Sequence, residues 1–218
     1  MTKENLIKID HLFIYRCIDR DALLRNCYKL NTFISRAEKQ AKEYGKEDED
    51  EINQYKGWAL EFFAEYLIKA HPMDKRIGVI DYQIVDEDDD TGVDGYGTGL
   101  DGNPATVQVK WRPFKYTLTA NRDHLTNFTS SSLIRYGVKL DENRNKNMLI
   151  ITTGKDIHWR TDEKMFQYNV RVLNREKLRV LVDENNMFWD YFRDSWEYSL
   201  PKTKIRKPKS RKLVRKKK

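Results

Sequence analysis

The stretch TGVDGYGTGLDGNPATVQVKWR, residues 91–112, decides the fold. Its centre, LDGNP (100–104), reads as a turn, because an Asp-Gly pair tolerates the positive φ of a tight hairpin. ATVQVKW (105–111) alternates in type, the period of a strand with two different faces. VDGYGTGL (93–100) is expected to pair with it across the turn. Three polar residues stand out in this core-like hairpin. Asp94 follows Val93 at the start of the first strand. Gln108 and Lys110 lie two apart on the second and share a face, and the hairpin can bring Asp94 opposite them. A carboxylate, an amide and an ammonium crowded beside Val107, Val109 and Trp111 are costly to bury unless they pair or bind something.

Upstream, IGVIDYQIV (77–85) is a β-branched run and predicts a strand. The acidic run DEDDDTG (86–92) lacks the spaced Gly and terminal Glu of a calcium loop and reads as a solvated connection. Residues 55–70 predict a helix with a wide apolar face, ended by His71-Pro72, since the residue before proline disfavours helical backbone. Within it Glu61 and Glu65 lie four apart on one stripe. YGKEDEDEIN (44–53) reads as an acidic connection, and residues 4–42 as helical, with a break near Asp19–Asp21 where an Asp can cap a second helix. Downstream the pattern predicts a helix over 121–136, strands over 147–154 and 168–174, a helix over 175–185 and a last aromatic helix over 187–200. This order implies an α/β sandwich around a central mixed sheet, with additional N-terminal helices.

Composition bounds the function class. The chain has 218 residues, 39% of them hydrophobic and 34% charged, as expected of a globular protein with wide solvated faces. The formal net charge of +7 averages two unlike parts. Eleven of the 41 Lys and Arg, and none of the 34 Asp and Glu, fall in residues 201–218, so residues 1–200 carry 30 basic against 34 acidic side chains. The tail PKTKIRKPKSRKLVRKKK has too little apolar surface to order itself. It suits either a phosphate-binding arm or a localisation signal. Cys17 and Cys27 have no partner at zinc-ligand spacing and read as buried free thiols, which fits a reducing, intracellular compartment, nuclear if the host is eukaryotic. No apolar run reaches membrane-spanning length and no secretory leader is recognisable, so no membrane partner is expected.

GWALEFFAEYL (57–67), TGVDGYG (91–97) and VQVKWR (107–112) together resemble the PD-(D/E)xK nucleases, most closely the Mrr-type branch of restriction endonucleases and the similar domains fused to some helicases. Gly57 and Glu61 match that branch's helical Gly-x-x-x-Glu. Gly92, Val93 and Asp94 match its G-[VI]-D, and Gln108 and Lys110 its Q-x-K. IITTG (150–154) and VRVLNREKL (170–178) continue the likeness, which covers about 57–182 but neither residues 1–50 nor the tail. The resemblance implies a restriction-endonuclease-like α/β/α sandwich. Its implied division is an N-terminal helical element over 1–50, a nuclease domain over 51–200 and a basic tail over 201–218.

The implied activity is Mg²⁺-dependent hydrolysis of DNA phosphodiester bonds, with Mn²⁺ as a substitute ion. Asp94, Gln108, Lys110 and Glu61 would be catalytic, and Asp94, Glu61, Gln108 and the Val109 carbonyl would hold the metal. Gln in place of the more usual Glu at 108 removes one charge from that site. Arg112 is placed to meet DNA, as are the tail residues Lys204, Arg206, Lys207, Lys209, Arg211, Lys212 and Arg215. Residues 1–50 could meet a helicase or another protein partner, and a homodimer is compatible. Two other functions fit the same residues: a Holliday-junction or branched-DNA resolvase, and a non-catalytic DNA-binding or assembly protein on a nuclease fold. Residue by residue, Asp94 and Lys110 could instead form a hairpin ion pair, Gln108 a core amide, and Glu61 or Glu65 a surface charge. Neither a helix-turn-helix nor a zinc finger is evident.

Overall fold

The computed structural model describes residues 6–85, 92–140, 146–159, 167, 169–185, 187–194 and 196–198. The acidic run at 86–91 and the basic tail from 201 onward, with all its candidate DNA contacts, lie outside the described residues. The chain begins with β1 (Ile7–Ile9), α1 (Phe13–Arg16), α2 (Arg20–Leu24), α3 (Leu30–Gly45) and α4 (Glu49–Ala70). Next come β2 (Val79–Ile84), β3 (Gly95–Gly99), β4 (Pro104–Lys110), β5 (Thr117–Thr119), α5 (Leu125–Ile134), β6 (Met148–Thr152) and β7 (Asp156–His158). β8 (Val170–Leu173), α6 (Arg175–Asp183), α7 (Phe188–Asp194) and β9 (Trp196–Tyr198) complete the order.

The fold is mixed α/β, with a five-stranded mixed sheet in the order β2-β3-β4-β6-β8. β2, β3 and β4 form an antiparallel meander, and β6 and β8 add in parallel. β6 lies between β4 and β8 and is buried throughout. Its residues alternate between two cores: Leu149 and Ile151 join the α4 side, Met148 and Ile150 the α5 side. That alternation is the two-residue period of a strand covered on both faces. The expected hairpin is present, with Gly95 opposite Val107 and Thr98 opposite Pro104. Gly102 takes φ +79° in the turn, as the Asp-Gly signal requires.

α4 starts earlier than its apolar pattern suggests. The Asp48 carboxylate accepts from the backbone N–H of Asp50 and Glu51, and three acidic residues fill the first turn. Negative charge there offsets the positive end of the helix dipole, so part of the presumed acidic connection is helix. Residues 62–68 of α4 are buried on every side, because α3, β1 and the sheet all pack against it. Phe33, Phe62, Phe63, Tyr66, Phe188, Trp189 and Phe192 interlock there as edge-on, tilted and stacked ring pairs.

The two ends of the described chain depart from the helical expectation. Ile7–Ile9 is a strand paired in parallel with Trp196–Tyr198, so the first expected helix begins later and the last ends at Asp194. Parallel pairing across nearly the whole chain supplies backbone partners that local periodicity cannot reveal. Asp19 does cap α2, its carboxylate accepting from the Ala22 N–H at 2.9 Å. The short parallel pair β5–β7 was not anticipated either. The N-terminal helices share one apolar core with α4, α6 and α7. Cys17 and Cys27 are unbridged, Cys27 buried and Cys17 partly so. No helix among the described residues is long and apolar enough to cross a membrane.

Candidate active site

Gly92 adopts φ +72°, which aims its carbonyl at the Gln108 amide, received at 2.8 Å. The chain then turns into the hairpin ladder. The Asp94 N–H donates to the Val107 carbonyl at 2.9 Å, and the Asp94 carboxylate accepts from the Val109 N–H at 2.6 Å. Asp94 is thereby clamped to the neighbouring strand by backbone and side chain together. The next residue must be small. A Cβ on Gly95 would lie 2.3 Å from the Tyr82 ring. Tyr82 reaches it because β2 is irregular between Ile80 and Gln83, with Asp81 at φ +53°.

α4 packs across β2 and β4 and brings Glu61 to the same place. A cleft of about 500 Å³ opens there, lined by Gly57, Glu61, Asp94, Val109, Lys110 and Arg112 among others. Lys56, Asn53, Glu38 and Trp111 form more of its wall. Two carboxylates and an ammonium from three separate elements thus meet in one cavity. Burial raises the Asp94 pKa from its ordinary value to about 7, and the Glu61 carboxylate adds to the rise. The Lys110 charge and the Val109 N–H pull it back in part. The Tyr82 hydroxyl is pushed well above its ordinary range, by burial first and then by the charges of Glu65, Asp94 and Glu61.

No protein-family model matches this chain, and no curated protein matches it.

Glu61 and Glu65 have different surroundings. Glu65 is fully buried and accepts from the backbone N–H groups of Asp10 and His11, at 2.7 and 2.9 Å. Lys69 closes on it at 2.6 Å and on Asp10 at 2.7 Å. Glu65 therefore fastens the N-terminal segment to α4, and Glu61 lines the cleft. Gln108 is fully buried and is not among the cleft-lining residues; its Oε1 is enclosed without a hydrogen-bond partner. Arg112 reaches the cleft but is also held, its Nε donating at 2.7 Å to Asp123, which is itself fully buried.

Among the described residues, no three or more His, Cys, Asp or Glu side chains gather in a way that could hold a metal ion. The oxygen donors that line the cleft are the Asp94 and Glu61 carboxylates, with the Val109 carbonyl on the same wall; Gln108, expected to be a ligand, is enclosed and does not line it. An all-oxygen set with one or two carboxylates suits Mg²⁺, which keeps several waters, better than zinc, which favours Cys and His. The Asp94 and Glu61 carboxylates, lining one cleft together with Val109, are an oxygen donor set that suits a hard cation.

Sequence reading missed His11, Tyr82 and Asp123. His11 lies outside the family resemblance, and its segment reads there as helix. Asp123 sits in a stretch read as helical, yet its carboxylate also accepts from the Thr119 N–H at 2.7 Å, as a turn residue does. The DG pair at 94–95 was the one available signal for Tyr82, since a glycine inside a strand marks a close neighbour.

Proposed function

We propose that this protein is a Mg²⁺-dependent endonuclease that hydrolyses DNA phosphodiester bonds on a restriction-endonuclease-like fold. One observation carries the proposal: Glu61, Asp94 and Lys110, from three elements, line one cleft beside cationic Lys56 and Arg112. Such a set suits a substrate that is itself anionic and needs a cation brought to it. Asp94 and Glu61 would hold the ion, with the Val109 carbonyl as a neutral oxygen. When bound, Mg²⁺ supplies Lewis-acid stabilisation of the phosphoryl oxygens and lowers the pKa of a bound water.

The protein's own groups do the remaining work. Lys110 orients the attacking water and offsets negative charge developing on phosphorus. Arg112, held by Asp123, offers a guanidinium of fixed direction to a phosphate oxygen. Lys56 adds a second cation on the helical wall.

The test is cleavage of plasmid and four-way-junction DNA with Mg²⁺, comparing wild type with Asp94→Ala and Lys110→Ala. Asp94→Ala should abolish cleavage and weaken metal binding. Lys110→Ala should lose about 100-fold or more in turnover while binding the metal normally, because an ammonium is no ligand. An Asp94→Ala protein that cuts at the wild-type rate would refute the proposal. Preference for the junction would identify a resolvase acting through the same groups.

A further inference from the structure

His11 stands outside the hairpin and helix that supply the cleft, yet it touches one of the two carboxylates. Its Nε2 lies 2.9 Å from the Glu61 Oε2, and His11 is only 6% exposed. The Phe13 backbone N–H donates to the other ring nitrogen, Nδ1, at 3.1 Å. With Nδ1 occupied as an acceptor, the ring proton of the neutral imidazole sits on Nε2 and points at Glu61. We propose that His11 is a positioning residue, which holds the Glu61 carboxylate in the orientation needed to receive a divalent cation. This rests on the proposal that Glu61 and Asp94 hold that ion.

The segment carrying His11 is anchored from several sides. Ile7–Ile9 pairs with Trp196–Tyr198. Glu65 accepts from the N–H groups of residues 10 and 11, and Lys69 donates to the Lys8 carbonyl at 2.9 Å. Glu65 is one helical turn beyond Glu61, so the anchor and the working carboxylate share a stripe of α4. A Glu at that position on a helix has several rotamers. A donor fixed on one oxygen selects one of them and leaves the other oxygen for a ligand, as partners behind metal-binding carboxylates do. The N-terminal segment is then part of the site, which residues 51–200 alone would leave incomplete.

The two ring nitrogens have separable roles, and two variants divide them. His11→Asn can keep an oxygen for the Phe13 N–H but loses the donor to Glu61. His11→Gln can return an amide donor near the Nε2 position but gives up the acceptor for Phe13. Mn²⁺ affinity of the full chain is measured by calorimetry, alongside thermal melting and cleavage. His11→Asn should weaken Mn²⁺ binding about 10- to 100-fold, and His11→Gln should recover most of the loss. In a Glu61→Ala background His11→Asn should cause no further loss, which a purely structural role would not produce.

Equal Mn²⁺ affinity in wild type and folded His11→Asn overturns the role of His11 alone, as does an equal loss in both backgrounds. Absence of Mn²⁺ binding by the wild-type chain overturns the metal site as well. Should His11→Asn fail to fold, the imidazole nitrogen resonances of His11 in wild type, followed as Mg²⁺ is added, decide the matter. They shift if Glu61 takes up the ion against His11, and their standing still overturns the role.

Discussion

Asp94 is held by two forces that oppose each other. The Val109 N–H and the Lys110 charge favour its ionised form, whereas burial and Glu61 favour the neutral one, and the balance leaves its pKa near 7 instead of the ordinary 3.8. In the unfolded chain the carboxyl loses its proton near pH 4, but in the folded chain it keeps it to about 7. Between these values the folded state binds more protons, so the contribution of Asp94 to stability is full below pH 4 and lost as pH rises through 7. In chelator, Asp94→Asn should therefore melt close to wild type at pH 4 and clearly above it at pH 8, since Asn can still accept from Val109 without the buried charge. A melting difference that is the same at both pH values would show that Asp94 is not protonated in the folded, metal-free protein. Its place in the cleft was foreshadowed in the sequence, because a lone carboxylate beside Val93 in a core-like hairpin needs an explanation. His11 was not, because nothing in its neighbourhood of residues 6–16 announces that it will meet Glu61, fifty positions on.

Elements with strong local signals were read well, and those that depend on distant partners were not. β2, β3, β6 and β8 lie within the stretches expected to be strands and β4 begins one residue early, at Pro104, because β-branched runs, the Asp-Gly turn and strict alternation are written in consecutive residues. β1 and β9 have three residues each and exist only because they pair with one another, so the same residues taken alone resemble helix. α4 shows a subtler effect. Its N-terminal turns hold almost nothing apolar and so give no periodic signal, yet a capping carboxylate and first-turn acids are helix-start signals in their own right. Asp48 makes both cap bonds through one oxygen, at 2.9 and 3.2 Å. Asp48→Ala should cost about 1 kcal/mol, lowering the melting temperature by about 2–4 °C for a chain of this size. Asp48→Asn should be nearly neutral, since an amide oxygen still accepts. Because Asn53, Lys56 and Gly57 line the cleft from this end of α4, fraying there should also reduce cleavage more than a distant substitution of equal cost. Calorimetric melting beside a cleavage assay checks both, and an unchanged melting temperature for Asp48→Ala would show that the cap contributes nothing.

Across the whole molecule, charge is segregated. Residues 1–200 carry 30 basic and 34 acidic side chains, whereas residues 201–218 carry eleven basic and no acidic ones. A body of about four net negative charges repels DNA at long range, and its cleft mixes Glu38, Glu61 and Asp94 with Lys56, Lys110 and Arg112. A metal ion would tilt that balance locally, but it acts only at contact. The tail can act from further away. Each phosphate that it neutralises adds about 0.9 to the slope of log affinity against log salt on duplex DNA. Contacts of this kind attract and position without reading bases. Deleting 201–218 should therefore weaken binding on all sequences alike and flatten the salt dependence. Turnover at saturating DNA should stay close to that of the full chain, because the residues that line the cleft are all in the body. Binding isotherms at several salt concentrations, for two unrelated duplexes and both chain lengths, separate these outcomes. If the shortened protein binds as tightly as the full chain at moderate salt, the eleven cations serve an address signal or an acidic protein partner, and the body must attract DNA through the cleft alone.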